Sequence, residues 1–164
     1  MEYKLVLDQA VLDEYYKHYF KLHPKAKKKP IEHPYHPSIN VWMILPRIQM
    51  NDLKQKWKDF IIWWIDKLGY TNLKLDKVEM TTITYMPTRR RIDVDNTIGK
   101  FINDGFTEAG FWIDDDSSHL VSLTLKAGYD KENPRTEIYI NELNYQDGVE
   151  YERKGATKRN VLDG

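Results

Sequence analysis

The stretch that decides the reading runs from Arg89 to Asp116, RRRIDVDNTIGKFINDGFTEAGFWIDDD. It sets three arginines ahead of two alternating aspartates, continues into an amphipathic segment, and closes on Trp112 and the aspartates Asp114, Asp115 and Asp116. Asp93 and Asp95 lie two apart, and such residues point the same way only on extended backbone, because helical neighbours recur at three and four. The pair therefore belongs to a strand end or the linker after it. A helix is expected to begin just beyond, capped by Asp95 or Asn96. Ile98, Phe101, Ile102, Gly105 and Ala109 then fall on one stripe, and Gly110 is the stop.

Two adjacent carboxylates repel unless a cation sits between them or one takes a proton. Hard divalent ions prefer oxygen ligands, and Mg²⁺ takes one or two carboxylates while leaving its other positions to water and substrate phosphate. A phosphodiester is the natural substrate for such a group, and Arg89, Arg90 and Arg91 beside carboxylates make most sense with phosphate present. Taken singly, Asp93, Asp95 and Asn96 read as helix caps and Asp114 to Asp116 as a turn. Together with the basic run and Lys100 they read as a site.

Outward from this block, the chain has 164 residues, 41% of them hydrophobic, enough for one domain with a real core. The absence of cysteine excludes a disulfide framework, a thiolate metal site and a cysteine nucleophile, and fits a reducing cytoplasm. Neither a signal peptide nor a membrane span is expected. Charge balances at 25 basic and 25 acidic residues, so any nucleic-acid footprint must be local.

Residues 2–7 alternate as a strand and 9–22 carry helix formers. The segment HPKAKKKPIEHPYHPS, residues 23–38, is broken by prolines and reads as an exposed loop. Its Lys25, Lys27, Lys28 and Lys29 are a candidate phosphate-contacting arm or a solvated linker. His33 and His36 read as ordinary loop histidines rather than metal ligands. Over 51–68, Leu53, Trp57, Phe60, Ile61, Trp64 and Leu68 keep helical spacing behind an Asn51 cap, and this stripe is core. Trp63 lies off it and is a candidate dimer face. Residues 75–86 form a strand that delivers the arginines. Residues 119–129 and 136–140 alternate, with 130–134 as hairpin loop, and are expected to pair antiparallel. The fold expected is α+β, one domain over 1–143, with a mixed, largely antiparallel sheet against two main helices, about 51–68 and 97–109. Residues 144–164 are expected to form a polar, mobile tail.

At RRRIDVDN, the later lysine and AGFWIDDD, the chain resembles the RusA family of Holliday junction resolvases, whose pattern is a basic run, DxDN, a lysine, and GxW followed by two acidic residues. HPSINVW, residues 36–42, is similar to that family's PSxN motif. The resemblance implies a RusA-like fold and a homodimer that cuts four-way DNA junctions with Mg²⁺, or Mn²⁺ in its place. It puts the catalytic aspartates, also the metal ligands, at Asp93, Asp95 and Asp115, and the catalytic lysine at Lys100. In the family two residues separate DxDN from the lysine, whereas here Thr97, Ile98 and Gly99 intervene. One extra residue turns a helical side chain by about 100°. Either the helix starts one residue later or Lys100 has a different job.

Geometry supplies an independent condition. A helix over 97–109 is about 20 Å long, and residues 110–115 fully extended recover only about 17 Å. A site within one subunit therefore requires FWID to run back along the helix nearly straight; otherwise Asp115 meets the pair across a dimer interface. The expected function is junction resolution by phosphodiester hydrolysis, with Arg89, Arg90, Arg91, Lys27, Lys28 and Lys29 binding DNA. Two equivalent sites suit paired cuts on a two-fold symmetric junction. The alternatives are a non-cleaving branched-DNA-binding module and a metal-dependent nucleotide phosphohydrolase.

Overall fold

The computed structural model describes residues 1–143. Strand β1 (Glu2–Leu7) and helix α1 (Gln9–Leu22) form where alternation and helix formers predict them. Asp8 caps α1 by accepting from the Val11 N–H at 3.1 Å. A short helix α2 (Ile39–Trp42) leads to α3 (Arg47–Lys67), which starts a turn earlier than the Asn51 cap predicts. Pro46 precedes it, and proline's fixed φ suits a helix entrance where an N–H is not needed. Trp57, Phe60, Ile61, Trp64 and Ile65 form its buried face, while Leu68 at the end of the predicted stripe is 40% exposed.

After α3 come β2 (Val78–Met86), a 3₁₀ turn (Val94–Thr97), α4 (Lys100–Glu108), β3 (Leu120–Tyr129) and β4 (Arg135–Glu142). The four strands make one mixed sheet in the order β1-β4-β2-β3. The fold is single-domain α+β.

The expected hairpin between residues 119–129 and 136–140 does not form. Strand β3 pairs with β2 in parallel, and β4 lies on the far side of β2, antiparallel to both β2 and β1. The two strands run in opposite directions, as predicted, but β2 separates them. Burial explains the choice. Ile138 and Ile140 are fully covered in the central slot, whereas β3 has no fully buried residue and takes the edge. The connecting loop crosses the end of β2, where the Asp130 N–H donates to the Met86 carbonyl at 2.9 Å.

Leu5 and Leu7 of β1, Ile138 and Ile140 of β4, and Val78 and Met80 of β2 join the apolar faces of the helices in one core. Helices α3 and α4 touch at Gly105, where an added Cβ would sit 2.6 Å from the Ile61 Cβ. Only hydrogen fits there.

One surface expectation is corrected. Within residues 23–38 the lysines are exposed, but Pro30, Ile31, Pro34 and His36 are buried. The carbonyl of Ile31 accepts from the Tyr16 hydroxyl and that of Pro34 from Thr136 Oγ1, so this half of the segment is held on the core rather than free. Trp63, the candidate dimer face, also packs within its own chain. It is half-buried against Tyr15 of α1 at 5.1 Å, with the Lys67 ammonium over its ring. Residues 144–164, expected as a mobile tail, lie outside the described residues.

Candidate functional site

The site is built at the exit of β2. Beyond Met86 and Pro87 the chain leaves the sheet, and Arg89, Arg90 and Arg91 follow in succession, all exposed. Arg89 is steadied by the Tyr129 ring of the neighbouring edge strand, 4.5 Å beneath its guanidinium. Arg90 and Arg91 continue toward Asp93.

Asp93 is extended, as its spacing predicts, but Asp95 lies inside the 3₁₀ turn, so the two are not successive same-side positions of one strand. Thr97 Oγ1 closes that turn by donating to the Val94 carbonyl at 2.6 Å. Ile98 and Gly99 are non-helical, and α4 starts at Lys100 rather than Thr97, with no side-chain cap from Asp95 or Asn96. Lys100 is therefore the first residue of α4.

The missing cap comes from far away in sequence. His36 Nε2 accepts from the Phe101 N–H at 3.1 Å, satisfying a donor in the first turn of α4. Its Nδ1 lies 2.7 Å from the Pro37 carbonyl, which assigns the proton to Nδ1. Burial against Trp57 and Phe101 lowers the His36 pKa to about 4, outweighing the opposing pull of the Pro37 carbonyl and of the Asp104 charge. A neutral imidazole with both nitrogens engaged is a positioning group. Sequence reading took it for a loop histidine because nothing local signals a partner 65 positions on.

Asp115 returns to the start of α4 within its own chain. Gly110 turns at φ +68°, and the following residues run beside residues 72–75: the Leu75 N–H donates to the Phe111 carbonyl at 3.1 Å and the Ile113 N–H to the Leu75 carbonyl at 3.0 Å. Trp112, fully buried, donates from Nε1 to Thr107 Oγ1 at 2.8 Å and pins the return strand to the helix. Asp115 thereby comes under the charges of Lys100 and Asp104. Desolvation pushes its carboxyl above the usual range; Lys100 pulls it down, while Asp104 and Asp114 push it up.

Asp104 is a second residue of this site that the sequence analysis does not single out. Its carboxylate meets Lys100 at 3.3 Å and Lys54 at 3.6 Å, one helical turn along from Lys100. The Lys54 contact is an ion pair too long for a hydrogen bond, so the buried Oδ2 keeps an unused lone pair among the described residues. Its signal was the i, i+4 spacing to Lys100 on the same helical face.

The predicted residues are thus brought together in part. Asp115 lies under the charge of Lys100, and Arg91, Asp93 and Asn96 line a cavity of about 880 Å³ together with Tyr35, Asn40 and Val41. Among the described residues, however, no three His, Asp or Glu side chains are gathered to hold a metal ion. Lys27 and Lys28 are exposed, and Lys29 rests over the Tyr16 ring at 4.9 Å. No helix among the described residues is long and apolar enough to cross a membrane.

The fold and site define a single-domain α+β protein with a basic and acidic segment exposed at one end of its second strand. The chain matches no known protein family and no curated protein.

Proposed function

We propose that the protein is a metal-dependent endonuclease that resolves four-way DNA junctions by phosphodiester hydrolysis, the activity implied by its resemblance to the RusA family. The observation that carries this reading is the return of residues 111–115, pinned to α4 by Trp112, which puts Asp115 under the charge of Lys100 in the same chain. A site within one subunit requires such a return and also requires Asp115 to reach Asp93 and Asp95.

Asp93, Asp95 and Asp115 offer oxygen donors alone, the set that suits Mg²⁺, with Mn²⁺ able to substitute. The free chain does not gather three of them, so the proposal has substrate phosphate complete the site. The ion, when bound, supplies charge that polarises the phosphate and acidifies a water. Lys100 supplies an ammonium beside the carboxylates, positioned by the His36 cap at the first turn of α4, to stabilise charge developing on the phosphate. Arg89, Arg90 and Arg91 hold flanking phosphates, with Lys27, Lys28 and Lys29 as an outlying arm. A homodimer provides two such sites for paired cuts.

A second reading, a branched-DNA-binding module that does not cut, draws support from the ungathered carboxylates. Incubation of a synthetic four-way junction with the protein and Mg²⁺ or Mn²⁺ separates the two. The nuclease reading expects paired nicks, lost by at least about a hundredfold in Asp93→Asn with junction binding retained. A junction that is bound and left intact by the wild-type protein supports the module instead.

A further inference from the structure

The cavity beside Asp93 shares Arg91 and Asp93 with the proposed site, but the rest of its lining is used by no step above. It has a volume of about 880 Å³ and opens between the 33–41 segment, the end of β2 and the 3₁₀ turn. Tyr35, Val41, Leu53 and Met86 make its lining largely apolar, and Asn40 and Asn96 contribute amide groups to it. His33 and Tyr35 stand at this cavity as two parallel rings, centroids 5.0 Å apart and planes within 3°. Arg91 and Asp93 belong to the same wall.

We propose that this cavity receives one unstacked nucleobase of the bound strand. Flat apolar walls with a few amides are what a base requires: faces to stack on and edges to pair with. The His33–Tyr35 pair is a ready stacking platform, and stacking tolerates every base because each has a π face. The neighbouring guanidinium matches the phosphate of the same nucleotide. Only the position of that phosphate rests on the nuclease reading; the cavity's fit to a base stands on its own lining.

The consequence is a definite substrate class. A base inside a regular duplex is paired and stacked and cannot enter, so the favoured strand is one whose base is already free, at a junction core, a bulge or a single-stranded end. Discrimination between branched and plain duplex DNA then comes from the cost of extracting a base, in addition to charge.

The test uses methyl-labelled full-length protein and two probes, the thymidylate trinucleotide and the same trimer with its central base replaced by an abasic spacer. The base-bearing trimer is expected to shift the Val41, Leu53 and Met86 methyl resonances and to bind at least about tenfold more tightly than the abasic one. Val41→Trp, which fills the cavity from a half-exposed position, is expected to reduce its affinity to the abasic level; His33→Ala, at an exposed position, is expected to weaken it without unfolding risk. Equal affinity for both trimers, or shifts confined to residues around Arg89–Arg91, overturns the proposal. Junction cleavage measured on the same preparation keeps the two readings apart: cavity shifts without cleavage retain the base site and reject the nuclease, and cleavage without cavity shifts does the reverse.

Discussion

His36 carries more of the site than any of its charged neighbours, because it ties a proline-rich segment to the first turn of the helix that bears Lys100. Its acid dependence has a fixed sign. The folded protein holds the imidazole neutral down to about pH 4, whereas the unfolded chain takes up a proton near 6.5. Protonation therefore favours the unfolded state as pH falls. Stability from this group is fully present above 6.5 and is lost between 6.5 and about 4, a gap that corresponds to about 3 kcal/mol. Urea titrations at pH 7 and pH 4.5 are expected to reveal that loss in the wild type. In His36→Gln, whose amide oxygen can accept from Phe101 without titrating, stability at pH 7 is expected to be lower and the loss on acidification smaller. A wild-type protein equally stable at both pH values contradicts the buried neutral assignment. The residue was visible in the sequence, but its role was not, because a cap supplied from 65 positions away leaves no local pattern.

At the scale of elements, the legible parts are those specified by neighbours in sequence. β1 and α1 coincide with their alternation and periodicity, and the α3 stripe is buried from Trp57 to Ile65. The start of α4 was misread because Asp95 and Asn96 look like caps, while Ile98 and Gly99 take non-helical conformations that delay the helix to Lys100. The β3–β4 pairing was misread because sheet order depends on which strand buries more apolar surface, a long-range competition that β4 wins through Ile138 and Ile140. Gly105 offers a test in which local and tertiary terms oppose each other. Helix propensity alone favours Ala over Gly by about 1 kcal/mol, but the added methyl would meet Ile61 at 2.6 Å. Overpacking is expected to prevail, and Gly105→Ala is expected to lose about 1–3 kcal/mol in urea denaturation. A gain in stability would mean that α3 and α4 are not in close contact there.

For the whole molecule, zero net charge hides local clusters: three exposed arginines lead directly into the aspartate segment, and Lys25, Lys27, Lys28 and Lys29 crowd one exposed stretch. Under the proposed function, junction affinity depends on salt through these arginines, at about 0.9 in the log–log slope for each phosphate neutralised. Replacing Arg89, Arg90 and Arg91 with Gln is expected to reduce the slope by about 2 to 3, read from binding titrations across a salt series. An unchanged slope would assign the phosphate contacts to another surface, with the lysines of the 23–38 segment the first to examine. Of the candidate site, composition and spacing made the return of Asp115 toward α4 legible, while the gathering of its carboxylates is not seen among the described residues.

Under the proposed function, Asp93, Asp95 and Asp115 serve one divalent ion at the Lys100 end of α4. The most direct measurement is the anomalous signal of Mn²⁺ in crystals of the protein with a junction strand bound. The account predicts a Mn²⁺ peak ligated by carboxylate oxygens of these three residues and by a phosphate oxygen. A map with no peak there, or with Asp115 remote from Asp93 and Asp95 both in its own subunit and in any partner, would contradict it.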